Sequence, residues 1–218
     1  MADLKARIAA RTAKEFKDGD VANLGIGLPT LVANYIPEDT HIVIHSENGF
    51  TGLSEETRQG EEHPDVINSG GCFVRYTPEA NFFDTSMSFA IVRGGHVDVT
   101  VLGAMEVDEH GNLANWIVPG KMVAGMGGAM DLVVGAKKVI ISMMHTQKGK
   151  PKVLKECTLP YTALGVVDLI ITEMGVMEVT SEGVLLTELH PDYSLEEIQA
   201  ATGCQLRVSP GLKAMEEI

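Results

Sequence analysis

A recurring pattern constrains this chain most: a short apolar run stops at glycine or a polar turn, and an amphipathic segment follows. "VANLGIG" (21–27) leads into "PTLVANYI" (29–36), and the glycine-rich "GMGG" (125–128) leads through "AMDLVVGA" into "KVIISMM" (138–144). Short unbroken runs of Val, Ile and Leu are typical of strands covered on both faces. Their alternation with helical stretches predicts an α/β fold built on parallel strands.

The remaining elements fit that frame. Leu4, Ile8 and Phe16 share one face of an opening helix over 3–17, with Asp3 as N-cap and Gly19 near its stop. Pro29 opens a short helix, and "HIVIH" (41–45) is the next strand. The polar, acidic stretch 51–63 reads as a loop long enough to form a lid. "NFFDTSMSFAIVRGG" (81–95) reads as a helix, and 96–120 as strands about a turn at "DEHGN". A hairpin-like pair centred on Ser181, Glu182 and Gly183 precedes the helix "SLEEIQAATG" and a closing strand "CQLRVS". There is no internal repeat, linker or low-complexity tract. With 218 residues, the chain is within the size one core can serve. The expectation is a single domain over 1–218, with one open, mainly parallel mixed sheet flanked by helices.

Charge and cysteine usage exclude several functions. Thirty acidic against 17 basic residues give a net charge of −13 with no Lys/Arg run, so nucleic acid and anionic membrane are poor partners. Cys72, Cys157 and Cys204 stand singly, and the seven His form no ligand motif. This argues against a zinc site and a disulfide scaffold and fits a reducing compartment. The N-terminal segment lacks the apolar centre of a signal peptide, and no apolar run reaches membrane-spanning length. A cytoplasmic protein without metal or membrane is expected.

Among candidate sites, "NLGIGLP" (23–29) and "GMGGAMD" (125–131) allow two readings: backbone N–H groups offered to an anionic ligand, or tight strand–helix packing. Neither matches the dinucleotide fingerprint or a phosphate loop. Arg93 fits a helix C-terminus, and His96 and Asp98 fit structural polar contacts on one strand face. Glu47 differs. It follows a buried strand within "HSENG" (45–49), at the strand's carboxyl end, where ligands of open α/β sheets bind. Local pattern alone would still make it a turn residue.

The wider neighbourhood resembles the β subunit of class I (3-oxoacid) coenzyme A transferases, over 7–218. The resemblance is carried by "SENG" (46–49), "NLGIGLP", "FDTSMSFAIVRGGHVD", "LGAMEVDEHGNLANWIVPGKMVAGMGGAMDLV" and "CTLPYTA", in the family's order. Two positions depart from it: Ile44, where Leu or Phe is frequent, and Thr51, where an apolar residue is usual. The resemblance implies the CoA-transferase, ribose-phosphate-isomerase-like fold, with Glu47 as nucleophile. An ionised carboxylate needs no general base. It implies ping-pong transfer of CoA between a short-chain acyl-CoA and a carboxylate (acetate, butyrate or acetoacetate) through a glutamyl-CoA thioester, with CoA as substrate and no separate cofactor.

Further expectations rest on the same resemblance. Gly127 and Gly128 would supply oxyanion and CoA contacts. Asn23 and Asn48 would orient Glu47 or stabilise turns, and Gly25 and Gly27 would admit substrate closely. Where succinate-using members carry Asn-Ala-Gly-Lys, this chain reads Asn68, Ser69, Gly70 and Gly71, so a distal carboxylate lacks its lysine. That favours the acetate/acetoacetate/butyrate type over a succinyl-CoA:3-oxoacid transferase. The resemblance also implies an α-subunit partner and a hetero-oligomer with two of each. An acyl-CoA hydrolase and a non-enzymatic ligand-binding domain are the rival classes.

Overall fold

A computed structural model describes residues 3–216. Its frame is a ten-stranded sheet, with strands β1 (Val21–Leu24), β2 (Val43–Ser46), β3 (Phe50–Glu56), β4 (Val74–Phe82), β5 (Val99–Leu102), β6 (Lys138–Ser142), β7 (Leu169–Ile171), β8 (Gly175–Thr180), β9 (Gly183–Leu189) and β10 (Arg207–Ala214). Their spatial order is β10-β9-β8-β7-β6-β5-β1-β2-β3-β4. The five central strands, β7 to β2, run parallel. Antiparallel β3 and β4 extend the sheet on one side and β8 and β9 on the other, and β10 returns parallel to β9. The outermost strands, β4 and β10, carry Pro78 and Pro210. This is the mainly parallel mixed sheet expected.

Alternation along the central strands feeds two cores. Leu102, Val139, Ile141 and Ile170 face one side, under helices α2 (Thr85–Arg93), α3 (Ala129–Gly135) and α4 (Leu195–Ala201). Val99, Val101, Ile140, Leu169 and Ile171 face the other, under α1 (Leu4–Ala13) and a 3₁₀ helix (Leu28–Tyr35). Asp3 caps α1 by accepting from the N–H groups of Lys5 and Ala6. Ser194 and Glu197 form a reciprocal capping box on α4. No helix among the described residues is long and apolar enough to cross a membrane.

Five sequence expectations need correction. The closing strand runs Arg207–Ala214 rather than 204–209. The opening helix ends at Ala13 rather than near Lys17, and the segment from Pro29 is 3₁₀ rather than α. The stretch 51–63 is not all loop. Its first half is β3, whose polar residues are tolerated because pairing with β2 and β4 satisfies the backbone while Phe50 and Gly52 face inward. Residues 81 and 82 belong to β4, and α2 starts only at Thr85. There Asp84 accepts from the Met87 N–H and sets the start.

Candidate active site

β1 lies between β2 and β5, so the chain leaves it toward one side and later returns on the other. That reversal opens a crevice at the carboxyl ends of the strands, where open α/β sheets place ligands. Gly25, Glu47 and Gly103 directly follow β1, β2 and β5. All three line one cavity of about 420 Å3, together with Asn23, Gly127 and Gly128. Five of the seven residues singled out from sequence thus converge: Asn23, Gly25, Glu47, Gly127 and Gly128.

Glu47 sits in the tight turn between β2 and β3, closed by a bond from the Gly49 N–H to the Ser46 carbonyl at 3.0 Å. Gly49 has φ +131°, and a Cβ there would stand 2.5 Å from the Phe83 carbonyl oxygen, so only glycine fits. The Glu47 side chain is half-buried. Burial lifts its carboxyl above the ordinary range. A backbone hydrogen bond from Gly128 opposes the shift, and the negative charge of Asp131 adds to it.

The two glycines facing the carboxylate differ in what holds them there. Gly127 has φ +52°, and a Cβ on it would meet Glu47 Oε1 at an ordinary 3.6 Å. Gly128, the N-cap of α3, has an unremarkable φ of −84°. A Cβ there would stand 2.5 Å from Glu47 Oε2. Gly127 is required by the backbone, Gly128 by the carboxylate.

The other candidates divide. Asn23, buried behind Glu47, donates from Nδ2 to the His45 carbonyl at 3.1 Å. Gly25 lines the cavity, but a Cβ on it would press Leu102 at 2.9 Å, so packing against β5 accounts for that glycine. Gly27 and Asn48 do not line the cavity. Gly27, at φ +87°, turns the chain into the 3₁₀ helix. Asn48 donates to the Ile67 carbonyl at 2.7 Å and accepts from the Ser46 hydroxyl, stabilising the turn. Arg93 lies in the last turn of α2 and pairs with Asp131 at 2.7 Å. Asp98 accepts from the Val21 N–H and from Lys137, a structural role.

Several further residues, none of them given a catalytic or binding role from sequence, line or back the cavity. Ser69 reaches the cavity from the loop after β3, and Met126 precedes the paired glycines. Asn115 is held by a bond to the Gly103 carbonyl and another from the Thr162 hydroxyl. Behind Glu47 stand His45 and Ser88, both buried. Burial holds the His45 imidazole down to about 4, hence neutral at physiological pH. Ser69, Asn115 and Ser88 carry no local signal, because long-range folding alone brings them to Glu47.

Comparison with known proteins adds an independent line. A family model described as coenzyme A transferase matches residues 5–201. The chain is 51% identical to the acetate CoA-transferase subunit beta of Escherichia coli K12, covering 96% of each. It is also 51% identical to succinyl-CoA:3-ketoacid coenzyme A transferase 2A, mitochondrial, of Rattus norvegicus, covering 98% of this chain but 42% of that longer one. Among solved structures, an acyl-CoA transferase of Escherichia coli O157:H7 superposes with a TM-score of 0.79 at 25% identity, covering 98% of this chain and 43% of that one.

Proposed function

The chain belongs to the coenzyme A transferase family, and from that premise we propose that it is a β subunit moving CoA between a short-chain acyl-CoA and a free carboxylate, with Glu47 as the covalent carrier. One observation supports this most: the half-buried carboxylate lies in a cavity at the carboxyl ends of the central strands, directly against Gly128.

The proposed steps follow from the groups present. The Glu47 carboxylate attacks the thioester carbonyl, the C–S bond breaks, and an acyl-glutamyl anhydride and CoA thiolate result. The thiolate attacks the glutamyl carbonyl, releasing the first acid and leaving a glutamyl-CoA thioester. A second carboxylate attacks that thioester and forms a new anhydride. The returning thiolate then takes the new acyl group and frees Glu47. Thioester energy is conserved, so no ATP is consumed. The N–H groups of Gly127 and Gly128 are the proposed donors to the tetrahedral oxyanions. Leu102, Met126, Ala129 and Leu132 supply apolar wall that limits water.

For the acyl group we favour short monocarboxylates (acetate, butyrate, acetoacetate). No Lys or Arg is among the described residues lining the cavity, and Gly71 offers no cation to a distal carboxylate. The E. coli relative is an acetate CoA-transferase subunit and the rat relative a succinyl-CoA:3-ketoacid transferase. Equal identities do not discriminate between these types; the cation-free cavity lining supports the monocarboxylate reading. By the same relationship the chain works with an α subunit, in a hetero-oligomer of two each.

Incubating the assembled protein with acetoacetyl-CoA and no acceptor acid is expected to leave CoA covalently on this chain, detected by intact mass and mapped to Glu47. Persistence of the adduct in Glu47→Ala would remove the assignment. CoA release that proceeds equally with and without acetate would identify a hydrolase instead.

A further inference from the structure

Asn23 Nδ2 lies 3.4 Å from His45 Nδ1 and 3.1 Å from the His45 carbonyl oxygen. An amide nitrogen only donates, so Nδ1 accepts and the neutral ring carries its proton on Nε2. Nε2 stands 3.1 Å from Ser88 Oγ, which accepts from it and gives its own proton to the Glu47 carbonyl oxygen at 2.7 Å. Every hydrogen in this chain has a direction. All three side chains are buried, at 2%, 1% and 0% exposure for Asn23, His45 and Ser88.

The chain ends on a peptide with a particular property. In the turn from Ser46 to Gly49, the Glu47 carbonyl belongs to the central peptide, the one whose flip converts a type I turn into type II. That flip changes ψ of the second residue, here Glu47, by about 150°. The flipped turn calls for positive φ at the third residue, and Asn48 is not among the positive-φ residues. Asn tolerates positive φ better than most residues, so the sequence of the turn does not itself forbid the flip. The bond from Ser88 opposes it.

We propose that Ser88 and His45 are positioning residues, which lock the central peptide of the turn and so fix the direction in which the Glu47 carboxylate meets substrate. The proposal rests on Glu47 being the nucleophile. Ser88 comes from α2, His45 from β2 and Asn23 from β1, so the carboxylate is aimed by three elements of the frame. Without Ser88 Oγ, the Glu47 carbonyl and the His45 ring N–H both lose their partner, and the turn is free to sample the flipped state.

The test uses the chain assembled with its α partner. Ser88→Ala is expected to lower kcat about 10- to 100-fold, as misaimed reacting groups do, with KM for acyl-CoA within about twofold. The rate of glutamyl-CoA formation should fall by the same factor while the final adduct per chain is unchanged. His45→Gln, whose carboxamide can accept from Asn23 and donate to Ser88, is expected to stay within about threefold of the parent. His45→Leu should behave like Ser88→Ala. This second pair reads the same chain one step back, should Ser88→Ala fail to fold. Turnover of Ser88→Ala within twofold of the parent, or equal activity of His45→Gln and His45→Leu, would overturn the proposal. Absence of any Glu47 adduct in the parent protein would instead remove the nucleophile assignment, whatever the variants do.

Discussion

Adding one methyl group at Gly128 separates catalysis from folding with unusual clarity. The Gly128 backbone is at φ −84°, ψ 5°, the bridge region that non-glycine residues occupy at the third position of type I turns. A Cβ built there stands 2.5 Å from Glu47 Oε2, 3.0 Å from its Cδ and 3.0 Å from Phe89 Cε1. Ordinary contact begins at 3.4 Å, so the carboxylate must retreat by about 0.9 Å, the difference between 3.4 and 2.5 Å. Displacing a reacting group by about 1 Å costs on the order of 100-fold in rate, or about 2.7 kcal/mol of transition-state stabilisation. Gly128→Ala should therefore lose about two decades of kcat and form the Glu47 adduct correspondingly slowly, with its Tm nearly unchanged. Gly127→Ala is the matched control. Its Cβ meets Oε1 at an ordinary 3.6 Å, but its φ of +52° strains alanine by about 1 kcal/mol. For a domain of this size, that lowers Tm by about 2–4 °C, and because the Gly127 N–H is kept, the rate should fall less than in Gly128→Ala. Steady-state kinetics and thermal melts of both assembled variants decide the matter. If Gly128→Ala turns over within threefold of the parent, or loses stability and not rate, the steric account of that glycine is refuted.

Two pH predictions follow from the buried groups. Burial, helped by Asp131, raises the Glu47 carboxyl, so the proposed nucleophile is protonated and lost as pH falls through a value above the ordinary carboxylate range. Asp131→Asn removes one raising cause and frees Arg93, and the acid limb of kcat/KM should move to lower pH; an unmoved or raised limb contradicts this. His145 is buried between the Thr172 and Thr202 hydroxyls and held down to about 4, chiefly by burial. The unfolded chain protonates first, so this stability is complete above about 6.5 and is lost toward 4, at up to about 1.4 kcal/mol per pH unit. His45 is depressed in the same way. Tm should fall between pH 7 and 5, less steeply in His145→Gln. An identical slope in that variant would show that His145 does not titrate this way.

What could be read from sequence depended on whether the signal was local. The helix "SLEEIQAATG" and the runs feeding the central sheet are continuous local patterns. Both were legible. β3 was not, since a strand paired on both sides tolerates "TGLSEE" when only Phe50 and Gly52 must face inward. The glycine pair before α3 was visible as a pair. Which glycine answers to the backbone and which to the carboxylate depends on Glu47, some eighty residues earlier in the chain. Ser88 reads as an ordinary helix residue, because its partner lies on another element.

The prolines in the two outer strands bear on the life of the chain before it meets a partner. A sheet edge normally presents a ladder of free N–H and C=O groups, and edge-to-edge joining of like chains begins there. At Pro78 in β4 and Pro210 in β10 the ladder lacks a rung, since proline has no N–H to give. Irregular pairing registers along β3–β4 and β9–β10 break the regularity further. A newly made copy is thus poorly suited to growing sideways into a fibre of its own kind, and its useful contacts are left to the faces and to the strand ends, where Glu47 lies.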